Sequence, residues 1–82
     1  MWYVYFLRLA NGNDYVWSTN DLRRRVQAHQ RGNVNSTKSA LPVELKAYVA
    51  IGTERHARNL EKYFKSGSGK AFAKKRLIND TP

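Results

Sequence analysis

The chain has 82 residues, 15 of them Lys or Arg against six Asp or Glu, giving a formal charge of +9 and a pI near 10.3. That length holds one domain, residues 1–82, and a domain so small buries only roughly 60% of its unfolded surface, so its core has to be compact and aromatic-rich. With no cysteine there is neither a disulfide nor a thiolate metal site, and stability rests on packing alone.

The excess charge favours a polyanionic partner, with plain solubility as the competing explanation. Nucleic acid ranks ahead of an acidic membrane, because the basic residues are spread over several segments and do not line one amphipathic helix. Arg8 interrupts the N-terminal apolar run too early for a bilayer span, and that run lacks a basic leader and a small-residue cleavage site. No membrane association is expected, and the expected compartment is cytoplasmic.

Residues 2–9 are apolar or aromatic on both alternating faces, the pattern of a central strand covered on two sides. Asn11-Gly12-Asn13-Asp14 predicts a hairpin, with Tyr15-Val16-Trp17 as the short return strand. Asn20-Asp21 caps a helix running to about Gln30, which Gly32 stops and whose apolar face carries Leu22 and Val26. Residues 32–42 read as a loop. Val43, Leu45, Ala47, Val49 and Ile51 then alternate with mostly polar partners, as in an edge strand with one wet face. Thr53 caps a second helix with Ala57, Leu60 and Phe64 at helical spacing. Ser66-Gly67-Ser68-Gly69 is expected to break it, before a short basic helix over roughly 70–77 and a frayed tail over 77–82. The order predicts an α+β fold: a small three-stranded antiparallel sheet, strand order 2-1-3, flanked by three helices.

Ser66-Gly67-Ser68-Gly69-Lys70 superficially resembles the end of a phosphate-binding P-loop. That motif needs an earlier glycine and a hydroxyl after the lysine, where this chain has Phe64 and Ala71, and it follows a strand, not a helix. A distributed set is more specific. The hairpin brings Tyr5 and Tyr15 near each other. Arg25 sits roughly 60° from the Leu22 direction, at the border of the apolar face, and His29 follows one turn later. Glu61 projects from the apolar face of the second helix or its edge, where an unpaired carboxylate is costly. The plainer readings are core aromatics with wet hydroxyls, a solvated arginine run, a structural histidine, and a glutamate paired with a neighbouring Lys or Arg.

Together these residues resemble the GIY-YIG endonucleases. Tyr3-Val4-Tyr5 stands at the first tripeptide and Tyr15-Val16-Trp17 at the second, with Trp17 in place of the motif's final glycine. Ser18 to Arg25 with His29, Ser36-Thr37-Lys38-Ser39, Pro42-Val43-Glu44-Leu45, and Ala57 to Gly69 look like the small standalone bacterial members. Those are often described by likeness to the nuclease domain of the excision-repair incision subunit. Ser66 and Ser68 are poor substitutes for the polar residue, often asparagine, that some members supply after the second helix.

The resemblance implies a GIY-YIG nuclease-like fold and a metal-dependent DNA endonuclease, structure-selective and linked to DNA repair or processing. Glu61 would hold one Mg²⁺, with Mn²⁺ as the alternative ion. Arg25 would clamp developing charge, and Tyr5 or Tyr15 would help deprotonate the attacking water, an ionised tyrosine being favoured by cationic neighbours. His29 would position or relay a proton. Arg23, Arg24, Lys38, Lys70, Lys74 and Lys75, with Arg76, are the expected backbone contacts to DNA, with RNA as the second candidate. Two alternatives stay open: a catalytically impaired nucleic-acid-binding module that keeps the scaffold, because of Trp17, and a protein-interaction domain.

Overall fold

The computed structural model describes residues 1–79. Its elements are β1 (Trp2–Arg8), β2 (Asp14–Thr19), α1 (Leu22–Gln30), a 3₁₀ turn over Lys38–Ala40, β3 (Glu44–Ile51), α2 (Glu54–Phe64) and α3 (Gly67–Arg76). The sheet is antiparallel in the order β2-β1-β3, matching the expected 2-1-3 arrangement with three flanking helices.

β1 is central because its residues are apolar on both faces. Val4, Tyr5, Phe6 and Leu7 are all fully buried. Val4 and Phe6 pack with Ala57 and Phe64 of α2 and Ala73 of α3, the Phe6 and Phe64 rings meeting edge-on at 5.0 Å between centroids. Tyr5 and Leu7 face the opposite layer, with Val43, Leu22 and Tyr15. The two alternating faces of one strand thus seed two separate apolar clusters.

The hairpin between β1 and β2 turns through Gly12, whose φ of +87° suits glycine. The Asp21 side chain caps α1 by accepting from the Arg24 amide, and Gly32 (φ +77°) ends the segment after it. Thr53 caps α2 in the same way through the His56 amide.

Three expectations are corrected. Residues 43–51 do not keep one apolar face. A bulge pairs Leu7 with Leu45 while its neighbour Phe6 pairs with Ala47, so Ala47 packs with the α2 layer and Leu45 with the α1 layer. Ser66-Gly67-Ser68-Gly69 follows the end of α2 as expected, but the third helix starts before residue 70: Ser66 caps α3 through the Gly69 amide, and the glycines form that helix's first turn. Residues 77 and 78 of the expected tail are not frayed, since Leu77 and Ile78 pack on the core, Ile78 at 5% exposure. The remainder of that tail, 80–82, lies outside the described residues. Among the described residues no helix is long and apolar enough to cross a membrane.

Gly69 is what lets α3 fold back so closely on α2. A Cβ built there would overlap the Tyr63 carbonyl, whereas one on Gly67 meets open space. Gly69→Ala is therefore expected to destabilise the fold by about 1–3 kcal/mol despite the better helix propensity of alanine. Gly67→Ala should be neutral or stabilising by up to about 1 kcal/mol. Urea unfolding of the two variants checks both signs.

Candidate active site

Tyr5 carries its hydroxyl into the interior, where it lies 2.9 Å from Nε2 of His29. His29 is itself fully buried, and its Nδ1 lies 2.8 Å from the Thr37 hydroxyl, which is also fully buried. Leu22, Val26 and His29 fall at helical spacing, so α1 turns the imidazole onto the sheet along with its apolar residues. With the proton on Nδ1, His29 accepts from Tyr5 and donates to Thr37; the other tautomer reverses both bonds. Either way every buried polar atom in the line is satisfied.

The electrostatics follow from burial. His29 is lowered to about 4, first by desolvation and then by the charge of Arg25, so the imidazole is neutral at pH 7. Burial pushes the Tyr5 hydroxyl up to about 12, outweighing the opposite pull of the Arg25 guanidinium. The cationic neighbour acts in the expected direction but is outweighed. At Tyr5 desolvation wins.

Tyr15 projects from β2 beside the same imidazole, ring centroids 5.1 Å apart, and its centroid is 6.5 Å from that of Tyr5. Unlike Tyr5 it is only partly buried, and the Ser36 hydroxyl donates to its own hydroxyl at 3.3 Å. The segment 32–42, read from sequence as a plain loop, is tied to the site through Ser36 and Thr37. Trp17 stacks on Tyr15 at 6.0 Å and an interplanar angle of 20°.

Glu61 reaches the same region from the other side of the sheet. β2 is an edge strand, so side chains from both of its faces meet around its free edge. Ser18, paired with Val4 on the α2 side, donates to Oε1 of Glu61 at 2.6 Å. Lys65, one turn along α2, donates to Oε2 at 2.8 Å. The carboxylate is buried, at 8% exposure for the residue, and near enough to Tyr5 to oppose its ionisation. The Lys65 ammonium also lies 3.9 Å from the centre of a Trp17 ring.

The structure separates the expected basic contacts. Lys70 and Lys74 line an open cleft of about 630 Å³ with Tyr15, Trp17 and Lys65. Arg23 lines a shallower depression with Tyr3 and Tyr48. Arg24, Lys38 and Lys75 are exposed, Lys38 next to the buried Thr37.

A family model described as the GIY-YIG catalytic domain matches residues 1–76. The chain belongs to the GIY-YIG family. It is 36% identical over 69 residues to a UPF0213 protein of Bacillus pumilus, covering 83% of this chain and 70% of that one. It is likewise 36% identical over 64 residues to the UPF0213 protein YazA of Bacillus subtilis, covering 77% and 65%. A UPF0213 protein of Xanthomonas axonopodis is 45% identical over 47 residues, covering 56% and 46%. No solved structure matches the chain.

GIY-YIG nucleases generally use a divalent cation, and the GIY-YIG domain implies nucleic-acid binding. The donor set here is a single buried carboxylate beside a hydroxyl. Among the described residues no group of three or more His, Cys, Asp or Glu gathers that could hold a metal ion. One carboxylate with water and phosphate oxygens suits Mg²⁺, which keeps most of its hydration. The fit is conditional on Lys65, whose ammonium already holds Oε2.

Sequence reasoning missed Ser18 and Thr37 as parts of this network, and it allowed for a Lys or Arg on Glu61 without singling out Lys65. The four-residue spacing of Glu61 and Lys65 was the one available signal, and it is the usual signature of a solvated helix pair. Ser18 and Glu61 are 43 residues apart, His29 and Thr37 eight apart across the end of α1, and neither pairing has a helical or strand spacing to signal it.

The low value at His29 makes stability depend on acid. The folded form resists protonation while the unfolded chain accepts a proton near pH 6.5, so stability is lost as pH falls from about 6.5 towards 4 and this contribution then levels off. The loss should be on the order of 3 kcal/mol for a fully buried imidazole. His29→Gln, which titrates nowhere in that range, should flatten this part of the profile in urea unfolding at pH 7 and pH 4.5. Equal pH dependence of both proteins would mean that the buried imidazole is not what titrates.

Proposed function

We propose that this chain is a metal-dependent endonuclease that hydrolyses phosphodiester bonds in DNA, selecting branched, damaged or single-stranded forms and serving DNA repair or processing. One observation carries the reading: a buried carboxylate, Glu61, is linked through Lys65 and Trp17 to Tyr15 around the free edge of β2, beside a cleft lined by lysines. A resting ion pair or a core histidine alone would not call for that convergence.

Glu61 would hold a Mg²⁺ ion, or Mn²⁺ in its place, which when bound supplies polarisation of the phosphate and charge stabilisation at the leaving oxygen. Arg25 binds the non-bridging oxygens as negative charge develops, for which its planar fork suits better than an ammonium. Tyr15 is the tyrosine that water can reach, and Ser36 holds its hydroxyl, so it orients the attacking water. Tyr5 keeps its proton at neutral pH and acts as a positioning group, fixed by neutral His29 and Thr37. Lys70 and Lys74 bind flanking phosphates in the cleft. The reaction adds water across one P–O bond and leaves a phosphate monoester and an alcohol.

A second reading is favoured by the Lys65 ammonium on Glu61 and the indole in the glycine's place. In it the chain binds nucleic acid and does not cut. Its signature is tight binding that weakens with salt, with a log–log slope near −4 to −5 for about five phosphates.

Nicked, flapped and hairpin DNA, incubated with Mg²⁺ or EDTA, tests both readings. The nuclease should cut only with metal, and Glu61→Gln and Arg25→Ala should each lower the rate at least about 100-fold. Metal-dependent cutting that survives Glu61→Gln rules out the proposed site. Salt-sensitive binding without cutting by the natural chain, with cutting gained in Trp17→Gly, supports the second reading.

A further inference from the structure

Lys65 is a cation bound where the family's metal would be expected. Its ammonium sits 2.8 Å from Oε2 of Glu61, while Ser18 occupies Oε1, so both carboxylate oxygens already have partners. The Glu61 side chain is 11% exposed and that of Lys65 is 41% exposed, so the pair is largely shielded on the carboxylate side. A surface pair of this spacing contributes little and exchanges freely. This one has a third member, because the indole of Trp17 lies 3.9 Å from the same ammonium. Trp17 is in turn stacked on Tyr15 and so held in place from β2. Glycine at position 17 would leave Lys65 only its carboxylate.

We infer that Lys65 is the resident cation of Glu61, that Trp17 clamps it there, and that a divalent ion can bind this carboxylate only by displacing it. The physical basis is mutual exclusion. A divalent ion on Oε2 and an ammonium 2.8 Å from the same oxygen are like charges competing for one anion. Divalent affinity is thus reduced by whatever free energy holds Lys65, and part of that belongs to the cation–π contact. The lock makes Lys65 a competitor of the metal and assigns Trp17 a specific consequence, weakened metal binding. This inference rests on reading Glu61 as the cation-holding carboxylate, and it is read from metal binding alone. A protein that binds metal as described here and cuts no DNA would fail the nuclease reading and leave this one standing.

The test is Mn²⁺ titration of the full chain, followed by the electron paramagnetic resonance signal of the free ion. Lys65→Met should bind Mn²⁺ about tenfold or more tighter than the natural chain, the equivalent of removing roughly 1.4 kcal/mol of competition. Trp17→Gly should gain less than Lys65→Met, Lys65→Arg should gain nothing, and Glu61→Gln added to Lys65→Met should abolish the gain. Circular dichroism establishes that the variants are folded. Should Lys65→Met not fold, Trp17→Gly and an optical readout still decide. With Trp2→Phe as background, Trp17 is the sole tryptophan, and Mg²⁺ should change its emission by moving Lys65 off the ring. Unchanged affinity in Lys65→Met, a gain that survives Glu61→Gln, or, where Lys65→Met does not fold, unaltered Trp17 emission at Mg²⁺ concentrations that raise the melting temperature, would overturn the lock.

Discussion

A strand with no water on either face cannot leave a hydroxyl unsatisfied, and Tyr5 places one in the middle of such a strand. Much of the α1 layer is arranged around that constraint. His29 must come from the apolar side of its helix to meet the hydroxyl. Thr37 must come in from the following segment to meet the second ring nitrogen. That second bond, with the burial of Val34 and the Ala10 amide donating to the Ala40 carbonyl, holds residues 32–42 in place, and the same segment carries Ser36 to Tyr15. The same burial sets the proton chemistry, raising Tyr5 and lowering His29, so both stay uncharged at neutral pH and the line behaves as a rigid support.

The other half of the site depends on β2 being an edge strand. Within a sheet, side chains on opposite faces cannot meet. Around a free edge they can, and Lys65, bound to Glu61 in the α2 layer, reaches the indole of Trp17 that stacks on Tyr15 there. Gly69 indirectly supports this, since close packing of α3 on the end of α2 forms the far wall of the cleft that holds Lys70 and Lys74. The charge of the chain is accordingly uneven in its use. Lys65, Lys70 and Lys74 share one cleft, Arg25 acts on a buried hydroxyl, and Arg24 and Lys75 stand in solvent.

Position 17 links the two halves. Glycine there leaves a gap beside the second tyrosine; tryptophan fills it with a ring that touches both Tyr15 and Lys65. Membership of the GIY-YIG family and the chemistry of this particular member are therefore separate questions. The scaffold answers the first, and the Trp17–Lys65–Glu61 chain governs the second.

Local pattern alone was enough for the strand order, the caps at Asp21 and Thr53 and the stop at Gly32, because each depends on residues close in sequence. It placed the break after α2 correctly but started the third helix at about residue 70, where the structure starts it at Gly67. It also misjudged the alternation over 43–51, which a single bulge divides between two faces. The sequence by itself determined a basic α+β domain of this family with its polar residues in register. Only the tertiary structure decided what each one faces: His29 and Thr37 joined to Tyr5, and Lys65 and Ser18 on Glu61. Those pairings depend on desolvation and on distance between elements, and neither quantity exists until the helices close over the sheet.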